Sequence, residues 1–167
     1  MVDPPNLILA PIRGITDCYF RSIFHRYFPG FDSALAPFIN PQRHSSFHQG
    51  QLKDVLPENN QELPVVPQLL HTDTEDFLFL AGRLQELGYT QVNWNLGCPA
   101  RMVTKKKRGS GLLPYPEQIL TFLDKVIPRL SLKLSIKTRL GYEKKDELLH
   151  LLPLLDDYPL QEIIIHG

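Results

Sequence analysis

The chain has 167 residues, of which 43% are hydrophobic and 22% charged, and Lys+Arg and Asp+Glu balance at 18 each. This is the profile of a soluble globular protein with chain enough for one good core, and it excludes a nucleic-acid binder that works by bulk charge. Cys18 and Cys98 are too few for a disulfide framework and suggest a reducing compartment. The opening MVDPPNLILAPIRG lacks a signal-peptide pattern, and no apolar run approaches the ~20 residues of a membrane span, so a cytoplasmic protein is expected.

In chain order, Leu7 to Pro11 reads as a strand. Thr16 is the expected N-cap of a helix that Pro29-Gly30 stops. Ser33 to Ile39 reads as a second strand, and Asn40 to Glu62 as a polar stretch with one short helix. Val65 to Leu69 is a third strand. Thr72 or Thr74 is expected to cap a helix carrying Phe77, Leu80, Leu84 and Leu87 at helical spacing, with Gly88 at its end. Strands at Gln91 to Asn95, Leu132 to Lys137 and Glu162 to His166 follow, separated by helices at Pro116 to Ile127 and Glu143 to Leu155.

Strands alternating with helices predict βαβ units around a parallel sheet, its strands covered on both faces. A doubly wound sheet and a TIM barrel both fit, but no G-x-G-x-x-G opens the first crossover, which weighs against a dinucleotide fold. Gln68, Asn95, Lys137 and His166 each stand at the C-terminal end of a different predicted strand. Each alone is an ordinary capping or surface residue, whereas in a barrel the four converge on the face where active sites sit. Such a barrel takes ~250 residues. The expectation is an incomplete (β/α)8-type barrel of about six units, forming a single partial domain over residues 1–167.

The chemistry centres on QVNWNLGCPARMVTKKKRGSGLL, residues 91–113. Cys98 follows a strand end, between Gly97, which permits close approach, and Pro99, which stiffens the turn. A thiol so placed can be a nucleophile, a metal ligand or a proton donor. No second Cys or His stands at ligand spacing from it, so no metal is expected. Thiols ordinarily titrate near ~8.5, so the protonated form that can donate prevails at neutral pH. Cys18, inside an amphipathic helix, reads as a small core residue. The run Lys105-Lys106-Lys107-Arg108 is by itself an ordinary solvated loop, but beside a candidate site it can hold a polyanion's phosphates. Gly109-Ser110-Gly111 permits either a tight turn or close approach to a ligand.

Taken together, these motifs resemble the tRNA-dihydrouridine synthases. Asn93 to Ala100, then Val103 and Arg108 to Leu113, is similar to the family's signature. Ala10 to Asp17 with Phe20-Arg21 resembles its opening motif, with Ile12 where methionine is usual. Val66 to Gln68, Ile136 to Gly141 and Ile165 to Gly167 resemble three further motifs in the same order. The resemblance implies an FMN-bound TIM barrel followed by a small helical domain. Its flavin, reduced by NADPH, converts specific uridines of tRNA to 5,6-dihydrouridine. Carried over by motif, Cys98 is the general acid, giving C5 its proton while hydride reaches C6. Pro11, Ile12, Gln68, Asn95, Lys137 and His166 are expected to contact FMN. Asn95, Arg139, Lys105, Lys106, Lys107 and Arg108 are expected to meet the substrate RNA. The resemblance also implies that the last strands and the helical domain lie beyond these residues, and that the full-length protein is a monomer. Two alternatives stand beside this reading: an FMN barrel acting on free pyrimidines, against which the basic run argues, and an inactive truncated barrel.

Overall fold

A computed structural model describes residues 5–39 and 52–167 of the chain. Most of the polar stretch expected to hold one short helix, residues 40–51, lies outside them. Seven short strands are described: β1 Ile8–Leu9, β2 Ser33–Leu35, β3 Val65–Val66, β4 Gln68–Leu69, β5 Gln91–Leu96, β6 Lys133–Arg139 and β7 Ile163–His166. The expected third strand is thus split. Pro67 has no N–H for the ladder, although its carbonyl still accepts from Asn93 N at 2.9 Å. Strands β1-β2-β3 form one parallel sheet and β4-β5-β6-β7 another, and the Ile39–Leu69 bridge links them. Every pairing is parallel and the order never reverses. A doubly wound sheet requires a reversal, so this is the order of a barrel-type sheet. It does not close among the described residues, because β1 and β7 each pair on one side only.

Val92 to Leu96 of β5 and the middle of β6 are buried on both faces, as expected, but only one of the two faces is apolar. Val92, Trp94 and Leu96 of β5 are buried on the helical side, where Trp94 stacks on Phe122 with centroids 4.2 Å apart and Phe77 meets Phe122 edge-on at 5.2 Å. Burying each such large apolar side chain is worth roughly 1.5–3 kcal/mol. The other face is polar. Asn93 is in register with Ser135, Asn95 with Lys137, and Arg139 with His166. Paired residues point to the same face of a sheet.

Helix α1 spans Cys18–Tyr27 and α2 spans Thr74–Glu86. Both are capped by aspartates rather than the threonines expected. Asp17 accepts from Phe20 N at 2.9 Å, and Asp73 accepts from Asp76 N at 3.0 Å. A carboxylate there also complements the positive end of the helix. Thr16 instead turns its hydroxyl to the Ile12 N–H at 2.8 Å. A short α3, Arg101–Thr104, and a 3-10 turn, Gly109–Leu112, occupy the stretch after β5. Helix α4 is Pro116–Val126, and α5, Glu147–Leu155, begins later than the expected Glu143. The Glu147 carboxylate holds the N–H groups of Tyr142, Glu143 and Lys144 at 2.6, 3.1 and 3.0 Å, which keeps them out of the helix. Cys18 is buried, as a core residue should be. Among the described residues no helix is long and apolar enough to cross a membrane.

Candidate active site

The polar face of the sheet opens into a cleft of about 280 Å³ at the C-terminal ends of the strands. Pro11, Ile12, Gln68, Asn95, Cys98, Lys137, Arg139 and His166 all line it, with Arg13, Pro37, Phe38, Gly97 and Pro99. Gln68, Asn95 and His166 sit on or one residue before the last position of β4, β5 and β7, and Lys137 two before that of β6. Burial, and then the neighbouring Arg139 charge, push the Lys137 ammonium below the ordinary lysine range. The Nε of Arg139 is buried without a hydrogen-bond partner. Ile12 is exposed, and Arg13 lies over the Phe38 ring at 5.2 Å. Apolar surface thus faces a cluster of hydrogen-bond donors.

The loop carrying Cys98 is held from two sides. On one, Asn95 Oδ1 accepts the N–H groups of Gly97 at 3.0 Å and Cys98 at 2.9 Å, an Asx turn that holds the loop backbone at the cysteine. On the other, the Cys98 carbonyl accepts from both the N–H and the hydroxyl of Ser110, each at 3.1 Å. Of the two readings of Gly109-Ser110-Gly111, the tight turn is the one observed. Gly109 has φ +56°, and a Cβ there would lie 2.5 Å from the Cys98 carbonyl oxygen. A Cβ on Gly111 would lie 2.7 Å from Thr104 backbone atoms. The two glycines let the turn press against the cysteine and α3.

The basic run divides. Lys105 and Lys106 are exposed to solvent. Lys107 places its Nζ 4.0 Å from the Tyr115 ring centroid. Arg108 turns inward, its Nη2 2.9 Å from His71 Nε2. His71 is buried, and desolvation followed by the Arg108 charge pushes its ring below the ordinary histidine range. His71, Asp73 and Asp76 bring ligand atoms within 4.8 Å of one another. The guanidinium on His71 opposes a cation there.

Asn93, Ser135 and His71 are buried polar residues to which the sequence reading gave no role. Asn93 donates to Ser135 Oγ at 2.8 Å and accepts from Gln68 Nε2 at 2.7 Å. The alternation of polar and apolar residues in QVNWN and KLSIK was a signal that the polar side chains of each strand share one face. For His71, which follows β4 and whose carbonyl accepts from Trp94 Nε1 at 2.9 Å, no local pattern stands out.

Comparison with known proteins supplies the wider context. The dihydrouridine synthase family model matches residues 8–167. The tRNA-dihydrouridine synthase B of Vibrio vulnificus is 31% identical over 163 residues, which is 97% of this chain and 50% of that protein. The protein of the same name from Pasteurella multocida is 30% identical over 97% of this chain and 48% of its own length. The Escherichia coli K12 protein of that name is 29% identical over the same share of the chain. The chain spans about half the length of the curated relatives it matches. Among solved structures, a GH18 chitinase from Pseudoalteromonas aurantia has a TM-score of 0.53 over 96% of this chain and 67% of that one, at 11% identity. At that identity the likeness concerns the fold alone. The family match extends over nearly the whole chain, and the chain belongs to the dihydrouridine synthase family.

Proposed function

We propose, with membership of the dihydrouridine synthase family as the premise, that this cleft binds FMN and that Cys98 serves the reduction of uridines in tRNA to 5,6-dihydrouridine. One observation carries the proposal. The residues expected to contact FMN, together with Cys98 and Arg139, come from four different strands and two loops and line one cleft, which Lys105 to Arg108 do not. The residues present suit the cofactor. Gln68, Asn95 and Lys137 offer N–H donors to the acceptor-rich edge of a flavin, and Pro11, Ile12 and Phe38 offer apolar surface to its rings.

FMN, reduced by NADPH, would supply hydride to C6 of the uracil. The remaining work falls to the chain itself. Cys98, held by Asn95 and Ser110, keeps a thiol proton for C5. The Lys137 ammonium stabilises negative charge on the cofactor edge, and His166 contacts the same group at the end of β7. Arg139, with its unpartnered Nε, and the exposed Lys105 and Lys106 hold the substrate and its phosphates. The target base must leave its stack to enter, as base-modifying enzymes require. In this reading residues 1–167 belong to one catalytic domain of (β/α)8 type. Its partners are tRNA and NADPH, no metal takes part, and the protein acts as a monomer in the cytoplasm.

The test has two stages. Purified protein is scanned for flavin absorbance, then given NADPH with unmodified tRNA, free uracil or orotate. The expected product is dihydrouridine in tRNA alone, and Cys98→Ala should keep the flavin while losing the product. Reduction of the free base only, or undiminished product from the cysteine variant, would refute the proposal.

A further inference from the structure

Beneath the cleft runs a hydrogen-bond chain with one direction. The Cys98 N–H donates to Asn95 Oδ1 at 2.9 Å, and Asn95 Nδ2 donates to Gln68 Oε1 at 2.7 Å. Gln68 Nε2 then donates to Asn93 Oδ1 at 2.7 Å, and Asn93 Nδ2 donates to Ser135 Oγ at 2.8 Å. The Ser135 hydroxyl in turn points at the Val92 carbonyl, 3.5 Å away. Gln68, Asn93, Asn95 and Ser135 are all buried. Each carboxamide oxygen is therefore already engaged by the donor before it in the chain. What Asn95 retains, by valence, is one amide N–H, and Gln68 retains one amide N–H and a second lone pair on Oε1.

We infer that Asn93 and Ser135 are positioning residues that anchor this chain at its buried end, so that Gln68 and Asn95 each keep an amide N–H for the cleft and Asn95 keeps its oxygen on the Cys98 loop. A carboxamide is nearly symmetric in shape, and only its partners decide which end points where. The N–H groups of Gly97 and Cys98 can only donate, so the polarity starts at Asn95 and passes through Gln68 to Asn93, whose last donor the Ser135 hydroxyl takes up. Were Asn93 replaced by an apolar side chain, Gln68 Nε2 would be left buried without its acceptor, and Gln68 would lose the partner that holds it against Asn95. The ligand class follows from the amide N–H groups left over: a ring edge of carbonyl oxygens and unprotonated nitrogens. That this edge belongs to FMN rests on the function proposed above; the direction of the chain does not.

The experiment compares Asn93→Leu, Asn93→Asp and Ser135→Ala with the unsubstituted protein. Two quantities are read: hydrogen exchange of the Cys98 backbone amide without ligand, and the Kd for FMN. A carboxylate can only accept, so Asn93→Asp preserves the orientation of Gln68, and the Ser135 hydroxyl rotates to donate to it. Asn93→Leu should speed Cys98 amide exchange and weaken FMN binding, each by about tenfold, the size of one lost buried hydrogen bond. Asn93→Asp should restore the slow exchange. If Asn93→Leu does not fold, Ser135→Ala, which removes a single oxygen, carries the same expectation. Unchanged Cys98 exchange in the folded variants, or exchange as fast in Asn93→Asp as in Asn93→Leu, would overturn the inference. Faster exchange in a protein that never takes up FMN would uphold the chain and refute the function proposed for the cleft.

Discussion

Replacing Arg21 by methionine should cost the protein a large part of its stability. Arg21 is 2% exposed. Its Nη1 donates to the Thr16 carbonyl at 2.7 Å and to the Asp54 carboxylate at 3.1 Å. Its Nη2 donates to the Asp54 carbonyl at 2.6 Å and to Asn60 Oδ1 at 2.7 Å. Methionine fills much of the volume but leaves these acceptors without their donors. Breaking a buried ion pair from one side costs ~3–5 kcal/mol. The Asp54 side chain is 21% exposed, so water can recover part of its hydration, which places the loss near ~3 kcal/mol. A chain of this length loses ~2–4 °C of Tm per kcal/mol, so a fall of roughly 6–12 °C is expected. Urea and thermal unfolding followed by circular dichroism measure it. The loss should also reach the cleft, because Thr16, which Arg21 holds, accepts the Ile12 N–H. Arg21→Lys keeps the charge without the fork and should fall between the two. Stability of Arg21→Met within ~1 kcal/mol of the unsubstituted protein would refute the reasoning, since that is the range of exposed ion pairs.

Three further predictions concern charge. Lys137→Ala should abolish flavin absorbance in the purified protein, and retained colour at full occupancy would remove Lys137 from the cofactor site. Lys105→Gln with Lys106→Gln should weaken tRNA binding and flatten its salt dependence by about 2 in the log–log slope, one per phosphate contact, as measured by filter binding at several salt concentrations. Lys107→Gln should do less, because Lys107 lies over Tyr115. The last concerns pH. The folded pKa of His71 lies below its ordinary 6.5, so below that value the unfolded chain binds more protons than the folded one. The His71 contribution is present above ~6.5 and is lost as pH falls through the folded pKa. Denaturant titrations from pH 8 to 5 should show this loss, and His71→Gln should reduce it.

The placement of the candidate site residues was more legible in the sequence than the helix boundaries were. Gln68, Asn95, Lys137 and His166 were legible because a barrel turns strand ends toward one mouth, so their position along the chain predicts their position in space. The helix caps were missed by one residue each. Threonine and aspartate are both good caps, and where they adjoin, as in Thr16-Asp17 and Thr72-Asp73-Thr74, propensity cannot choose between them. Tertiary contacts decide, and Thr16 is taken up by Ile12. Arg108 belongs to a run that reads as uniform, yet its partner His71 stands 37 residues away, beyond any local pattern. For Asn93 and Ser135 the alternation marks a polar face on each strand, but only the parallel register sets the two side by side.

Gly109 and Gly111 let a turn lie against Cys98 and the short helix after it. Read through the genetic code, they also bear on heredity. Every single-base missense change of a glycine codon yields Ala, Ser, Cys, Asp, Glu, Val, Arg or Trp, and all of these bring a Cβ. At position 109 that atom meets the Cys98 carbonyl oxygen at 2.5 Å, and at position 111 it meets the Thr104 backbone at 2.7 Å. The cysteine loop therefore has no neutral neighbours one mutation away at either position. A lineage can change there only by moving the turn as a whole.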